Sequence, residues 1–246
     1  NNNNDKSSNP NKVKVSFIGA GNYASRVLMP GFKNNKTILS TVVTSEGSSG
    51  MLCAKKYGFE YASTDVSDAL KQDSDTLVIA TRHNLHAEQI ILGLEKQKNI
   101  FVEKPLALTH EEIDNISDTY NKIKQKPLLM VGFNRRFSPH LESIKKSIGR
   151  NHGPINIVVT MNAGFIANTH WVHDLEVGGG RIIGEACHSM DVCIYLTGSL
   201  IKAVCMNGMG KSPAKNTDNA SLLLKFENGS NAVLNYFANG SKSYSK

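Results

Sequence analysis

The sequence predicts an α/β protein: a doubly wound parallel sheet, then an α+β region built on a largely antiparallel open sheet. Three observations carry this. β-branched apolar runs alternate with helix-spaced segments from Val13 to Phe133, as in successive βαβ units. A glycine turn, Gly19-Ala20-Gly21-Asn22-Tyr23-Ala24, directly follows the first run. Beyond Phe133, strand-like runs succeed one another with one helix among them.

The first run is Val13 to Gly19, VKVSFIG, and the segment after it keeps helical spacing to about Lys33. Further strand-like runs are Ile38 to Thr44, Asp75 to Thr81, Asn99 to Pro105 and Pro127 to Phe133. They are nearly continuous in apolar residues, the signature of parallel strands buried on both faces. A helix is predicted to start after Thr109, because Glu112 stands three residues on and the pair makes a capping box. In the second region, runs fall at Asn156 to Gly164, Ile201 to Met209, Ala220 to Gly229 and Asn231 to Gly240. Glu227-Asn228-Gly229-Ser230 reads as a tight turn between the last two. The expected division is a polar tail over residues 1–12, a first domain over 13–132 and a second over 133–246.

At 246 residues and 40% hydrophobic content, the chain is long enough for one large or two modest cores. Nothing in Asn1 to Lys12 resembles a signal peptide, and no later stretch is long and apolar enough to span a membrane. Cys53, Cys187, Cys193 and Cys205 lack zinc-ribbon or disulfide-framework spacing, which fits reduced thiols and a cytoplasmic location. The net charge of +7 is spread along the chain without blocks or aromatic-basic interleaving, favouring an anionic small molecule over nucleic acid. An N-terminal residue other than Met, and a last strand that would leave a bare sheet edge, lead us to expect sequence missing at both ends.

The turn Gly19 to Ala24 is GxGxxA between a strand and a helix, the dinucleotide-binding arrangement of a Rossmann domain. Gly19 permits the tight turn, Gly21 lets backbone amides approach a pyrophosphate, and Ala24 lets helix pack on strand; Asn22 and Tyr23 complete the loop. NAD-preferring folds place an acidic residue after the second strand; here Thr44 and Ser45 occupy that place and Glu46 lies one step into the loop. NAD and NADP both stay open at this point.

Three motifs, IGAGNYA from Ile18, ATRHNLHAEQI with the later VEKPLAL, and GGGRIIGEACHSMD from Gly178, stand in order. Together they resemble the Gfo/Idh/MocA family of nicotinamide-dependent sugar and polyol dehydrogenases. The wording RHNLHAE, GFNRRFSPH and GGGRIIGEACH is similar to a subgroup fused behind a zinc-type alcohol dehydrogenase domain. The resemblance implies an NAD(P)-dependent oxidoreductase acting on a hydroxyl or keto carbon of a sugar, polyol or sugar-derived acid, and a homodimer or homotetramer pairing through the open sheet.

By position, the resemblance makes Lys104 the residue beside nicotinamide and substrate hydroxyl, with Glu103 before it and Pro105 after a cis bond. It assigns Thr81, Asn84 and His86 to the cofactor side, Arg82 standing where a proline is common and open to a phosphate or acidic substrate. His188 matches a histidine acting as acid or base, and Gly184 stands where an aspartate is common. Helical spacing puts Arg181, Gly184, Glu185, His188 and Asp191 on one face, with Ile183, Ala186, Cys187, Met190 and Ile194 on an apolar stripe beside it. Glu185 is an imperfect stand-in for the missing carboxylate. Trp171, within the loop HWVHD, and Arg135 are further substrate-binding candidates. A metal at His170, His173, Asp174 and His188 lacks a known ligand spacing, so none is expected. The rival readings are a non-catalytic nucleotide-binding module and a fragment of a larger bi-domain dehydrogenase.

Overall fold

The computed structural model describes residues 12–71, 73–149, 152–241 and 243; of the expected tail, only Lys12 lies among them. The chain divides into two compact units, one comprising residues up to Thr81 with Leu85–Val131, the other Arg82–Asn84 with residues from Gly132 onward.

The first unit contains β1 (Lys14–Ile18), a π-helical turn at Ala24–Leu28 running into α1 (Met29–Asn34), β2 (Ile38–Val43), α2 (Gly47–Tyr57), β3 (Tyr61–Ser63) and α3 (Val66–Lys71). It continues with β4 (Thr76–Ile79), α4 (His86–Glu95), β5 (Asn99–Val102), α5 (His110–Lys122) and β6 (Leu129–Val131). All six strands pair in parallel in the order β3-β2-β1-β4-β5-β6. The order reverses between β1 and β4, and ligands of such sheets bind beyond the strands' carboxyl ends at that point. β1 alternates between two apolar cores: Val15 and Phe17 pack with Met29, Val42 and Tyr57, whereas Ile18 packs with Leu77, Ile90, Ile100 and Ile116. The predicted capping box is present: Thr109 Oγ1 accepts from the Glu112 N–H at 3.1 Å, and Glu112 Oε2 accepts from the Thr109 N–H at 3.1 Å.

The second unit contains α6 (Pro139–Ile148), β7 (Asn156–Asn162), α7 (Cys187–Thr197), β8 (Ile201–Gly208), β9 (Ala220–Phe226) and β10 (Asn231–Phe237). Its sheet has the order β7-β10-β9-β8. β8, β9 and β10 are antiparallel neighbours, while β7 pairs with β10 in parallel, so the sheet is mixed and mostly antiparallel. Strand alternation directs Leu222, Leu224, Phe226, Leu234 and Tyr236 to one face, where Ala186 and Cys193 of the helical segment complete the core. The turn predicted at 227–230 closes the β9–β10 hairpin, with Gly229 at φ +86°. Helix α6 was not anticipated, although Ser138 and Pro139 are an N-cap and an N1 proline: Ser138 Oγ accepts from the Leu141 N–H at 3.3 Å.

Candidate active site

In the first unit, the residues expected to hold a dinucleotide gather at the carboxyl ends of β1, β2, β4 and β5. Gly19 has φ +94°, and a Cβ there would lie 2.4 Å from the Ala80 carbonyl oxygen, so only glycine fits. Its N–H donates to Val43 O at 2.9 Å, tying the turn to β2. Gly21 differs: a Cβ there would meet no atom within 4 Å. Its backbone therefore faces open space. Asn22 and Tyr23 are exposed beside it, and Ala24 is buried beneath them. A bare glycine turn at a helix start beyond the sheet's switch point fits an anionic pyrophosphate.

Strand β2 ends at Val43, leaving Thr44, Ser45 and Glu46 in the loop. Thr44 is buried and its hydroxyl donates to Glu46 O at 2.8 Å, whereas Ser45 and Glu46 are exposed. The Thr81 hydroxyl donates to Gln89 Oε1 at 2.8 Å. The structure corrects the expectation for His86. It is fully buried, with Nδ1 2.7 Å from Pro105 O and Nε2 3.3 Å from Thr81 O, leaving no surface for a ribose. Burial lowers its proton affinity, and the ring sits between the loop after β4 and the Lys104–Pro105 turn.

That turn carries Glu103 and Lys104 just beyond β5, and the Lys104–Pro105 bond is cis, as the resemblance implied. Both side chains are half-buried. Glu103 Oε1 has no hydrogen-bond partner among the described residues, and burial pushes the carboxyl up from its ordinary 4.5 to about 7, against the opposing pull of the Lys104 charge.

The second unit holds the remaining candidates, and here the regular helical face is not kept. A π-helical turn at Ile182–Ala186 precedes α7 and shifts the spacing by one residue per turn. Of the five residues expected on one face, Arg181 and Glu185 pair with each other, while Asp191 turns to a different partner. Arg181 is 1% exposed and donates to Glu185 Oε1 at 3.1 Å, Glu185 Oε2 at 3.2 Å and Gly164 O at 2.7 Å, with Asp218 at 3.6 Å. Tyr236 Oη donates to the same Glu185 Oε2 at 2.9 Å. Glu185, expected to contact substrate, is thus held inside a buried arginine–tyrosine network. Asp191 instead accepts from Arg136, Nε at 3.0 Å and a second N–H from Nη2. Ile183, expected on the apolar stripe, is exposed, whereas Ala186, Met190 and Ile194 join the core.

His188 is half-buried at the start of α7, its ring edge-on to Phe133 at 6.1 Å. Arg135 is half-buried in the short 3₁₀ turn Asn134–Phe137. Trp171 opens the 3₁₀ turn Trp171–His173, which His170 caps by accepting the Val172 N–H on Nδ1 at 3.3 Å. His173 is buried, and its Nε2 has no partner among the described residues. Among the described residues no three His, Cys, Asp or Glu side chains are arranged to hold a metal ion.

His83 is a residue to which sequence reasoning assigned no role. With Arg82 and Asn84 it belongs to the second unit, where the Asn84 N–H donates to Val177 O at 3.2 Å. The His83 imidazole is 7% exposed, with Nδ1 2.8 Å from Gly178 O, and it stands edge-on to Trp171 at 4.9 Å. Glycines make this closeness possible. A Cβ on Gly184 would lie 2.9 Å from His83 Cε1, and one on Gly178 would lie 2.6 Å from Trp171 O and Val172 O. The run Gly178-Gly179-Gly180 was the signal available in the sequence.

A parallel sheet in this strand order, with an open glycine at its switch point, defines the class: a dinucleotide-binding α/β protein carrying an added mixed-sheet unit. The family model for GFO_IDH_MocA, "Oxidoreductase family, NAD-binding Rossmann fold", matches residues 13–147, and that for the GFO/IDH/MocA C-terminal domain matches residues 151–245. The chain belongs to the Gfo/Idh/MocA oxidoreductase family. It is 30% identical over 190 residues to the uncharacterized oxidoreductase YrbE of Bacillus subtilis, covering 74% of this chain and 54% of that protein. It is 27% identical over 228 residues to the inositol 2-dehydrogenase of Rhizobium meliloti, covering 90% and 68%. The myo-inositol dehydrogenase of Lactobacillus casei, solved with NAD(H) and myo-inositol, has the same fold, with a TM-score of 0.77 at 19% identity over 92% of this chain and 68% of that one. The chain spans about half the length of some curated relatives, 54% and 55% of two of them.

Proposed function

We propose that the chain is the nucleotide-binding and catalytic part of an NAD(P)-dependent dehydrogenase acting on a hydroxyl-bearing carbon of a sugar, polyol or sugar-derived acid. The observation that carries the reading is the contrast at the switch point: Gly19 is locked against Ala80, and Gly21 faces open space. Family membership supports it. The nicotinamide, when bound, supplies the two-electron hydride acceptor. Oxidising a carbinol also requires the hydroxyl proton to go to a positioned base. We assign that proton to Lys104 Nζ, on the turn that His86 ties down, and a second proton-carrying role to the His188 imidazole. Gly19, Gly21, Asn22, Tyr23, Ala24, Thr44, Ser45 and Thr81 hold the cofactor, with Glu103 beneath it as a carboxyl half-protonated near neutrality. Arg135 and Trp171 serve the substrate.

The reading includes a cytoplasmic setting and self-association. Among the described residues no helix is long and apolar enough to cross a membrane. The outer face of the second unit's sheet carries an apolar row, Val158, Val233, Leu223 and Cys205 in register, with Val158 72% and Leu223 56% exposed. A dimer or tetramer through that face is the expected state, read by light scattering.

Titration with NADH and NADPH, followed by cofactor fluorescence, tests the reading. NADH is expected to bind, and Gly21→Asp to abolish binding while leaving unfolding unchanged within about 0.5 kcal/mol, since its Cβ meets nothing. Binding that survives the substitution would overturn the assignment. Lys104→Ala and His188→Ala are each expected to lower kcat by about a hundredfold or more without loss of cofactor binding.

A further inference from the structure

We infer that Arg82 is an anion-recognising residue and that the substrate carries a carboxylate. The inference rests on the dehydrogenase reading and names the substrate class for it. The Arg82 guanidinium lies over the Trp171 ring, 5.7 Å from its centroid. That ring is itself braced, by His83 edge-on at 4.9 Å and by His170 at 5.6 Å. His83 is in turn fixed to Gly178 O. An exposed arginine is thereby held over an aromatic platform that packing has made rigid.

The attraction between a guanidinium and an aromatic ring is electrostatic. A contact of this kind with an aromatic ring occupies none of the guanidinium N–H donors, so the arginine keeps its fork for two parallel hydrogen bonds. A carboxylate is the planar group that matches such a fork. Two other arginines in the unit already have that partner: Arg136 grips Asp191, and Arg181 grips Glu185 with Asp218 nearby. Among the described residues Arg82 meets no carboxylate. On the turn that carries Trp171, His173 Nε2 is buried with no partner among the described residues, a polar atom whose burial is compensated only if something bonds to it. Arg82 and Trp171 thus set an unanswered cation against an aromatic ring, and the turn carrying that ring also holds an unanswered imidazole nitrogen.

Trp171 is the only tryptophan in the chain, so intrinsic emission reports on this cluster alone. The test titrates the full chain with D-glucuronate, D-glucose and D-glucose 6-phosphate, reading Trp171 emission and, in parallel, heat by calorimetry. D-glucuronate is expected to bind at least about tenfold more tightly than D-glucose, and Arg82→Gln to weaken D-glucuronate by about tenfold or more while leaving D-glucose unchanged. Arg82→Lys keeps the charge without the fork and is expected to fall between. Equal binding of acid and neutral sugar, or full D-glucuronate affinity in Arg82→Gln, overturns the inference. Preference for D-glucose 6-phosphate over D-glucuronate also overturns it, by assigning the fork to phosphate. An NADH titration separates the two levels. NADH binding without an Arg82-dependent preference for the acid leaves the dehydrogenase standing and removes the carboxylate; the reverse pattern removes the dehydrogenase and keeps the anion site.

Discussion

Gly21 and Gly178 both sit in glycine-rich turns, yet a side chain at Gly21 would meet no atom within 4 Å, whereas one at Gly178 would lie 2.6 Å from Trp171 O, Val172 Cα and Val172 O. The first turn keeps backbone bare for a ligand. The second lets side chains close on one another, bringing His83 against Gly184 and Trp171. The two units differ in the same way in how they hold a half-buried acid. Glu103 in the first has one oxygen without a partner among the described residues and holds its proton up to about pH 7, while Glu185 in the second accepts hydrogen bonds from Arg181 and Tyr236. The first unit is built to receive, and the second to lock.

The lock should break hardest. Glu185→Ala leaves Arg181 buried with only the more distant Asp218 as counter-charge, and it is expected to cost about 3 kcal/mol in urea unfolding. A loss below about 1 kcal/mol would mean that the network is solvated and that the contrast with Glu103 fails. In the receiving turn, Gly19→Ala meets both a positive φ and the Ala80 carbonyl, and a cost of about 2–3 kcal/mol is expected, with loss of NADH binding.

Glu103 sharpens the comparison through pH. Its folded-state affinity for a proton is raised, so the folded chain binds more protons than the unfolded one between about 4.5 and 7. Its contribution to stability is complete below about pH 4.5 and is lost as pH rises to about 7, up to roughly 2–3 kcal/mol. Glu103→Gln, unfolded in urea at pH 5 and pH 8, is expected to remove that difference.

Much of the first unit was legible because its information is local. Strand runs at βαβ spacing, Gly19 and Gly21 after β1, and the Thr109–Glu112 box each report on a few neighbouring residues. What escaped depends on distant partners. The alternation of β7 announces its faces but not that it pairs in parallel with β10. The π-helical turns at Ala24–Leu28 and Ile182–Ala186 have no composition of their own, and the second one undid the helical-wheel grouping of Arg181, His188 and Asp191. His86 read as a ligand because its burial under the Pro105 carbonyl is a property of the packed unit. His83 drew no role because its reason for being there, Gly178 and Gly184, lies about a hundred positions away.

The smallest effect is the most discriminating. Gly184→Ala would set a methyl 2.9 Å from His83 Cε1 and 3.4 Å from Nδ1, contacts a ring relieves by tilting, so about 1–2 kcal/mol is expected. Because His83 packs edge-on to Trp171, the tilt should also shift Trp171 emission. His83→Ala removes the obstacle. If Gly184 is glycine because of His83, the double variant should be more stable than the sum of the single losses predicts, by about 1 kcal/mol. Additive losses, with emission unchanged in Gly184→Ala, would mean that His83 does not hold position 184 to glycine, and the locking seen at Gly178 would not extend to His83.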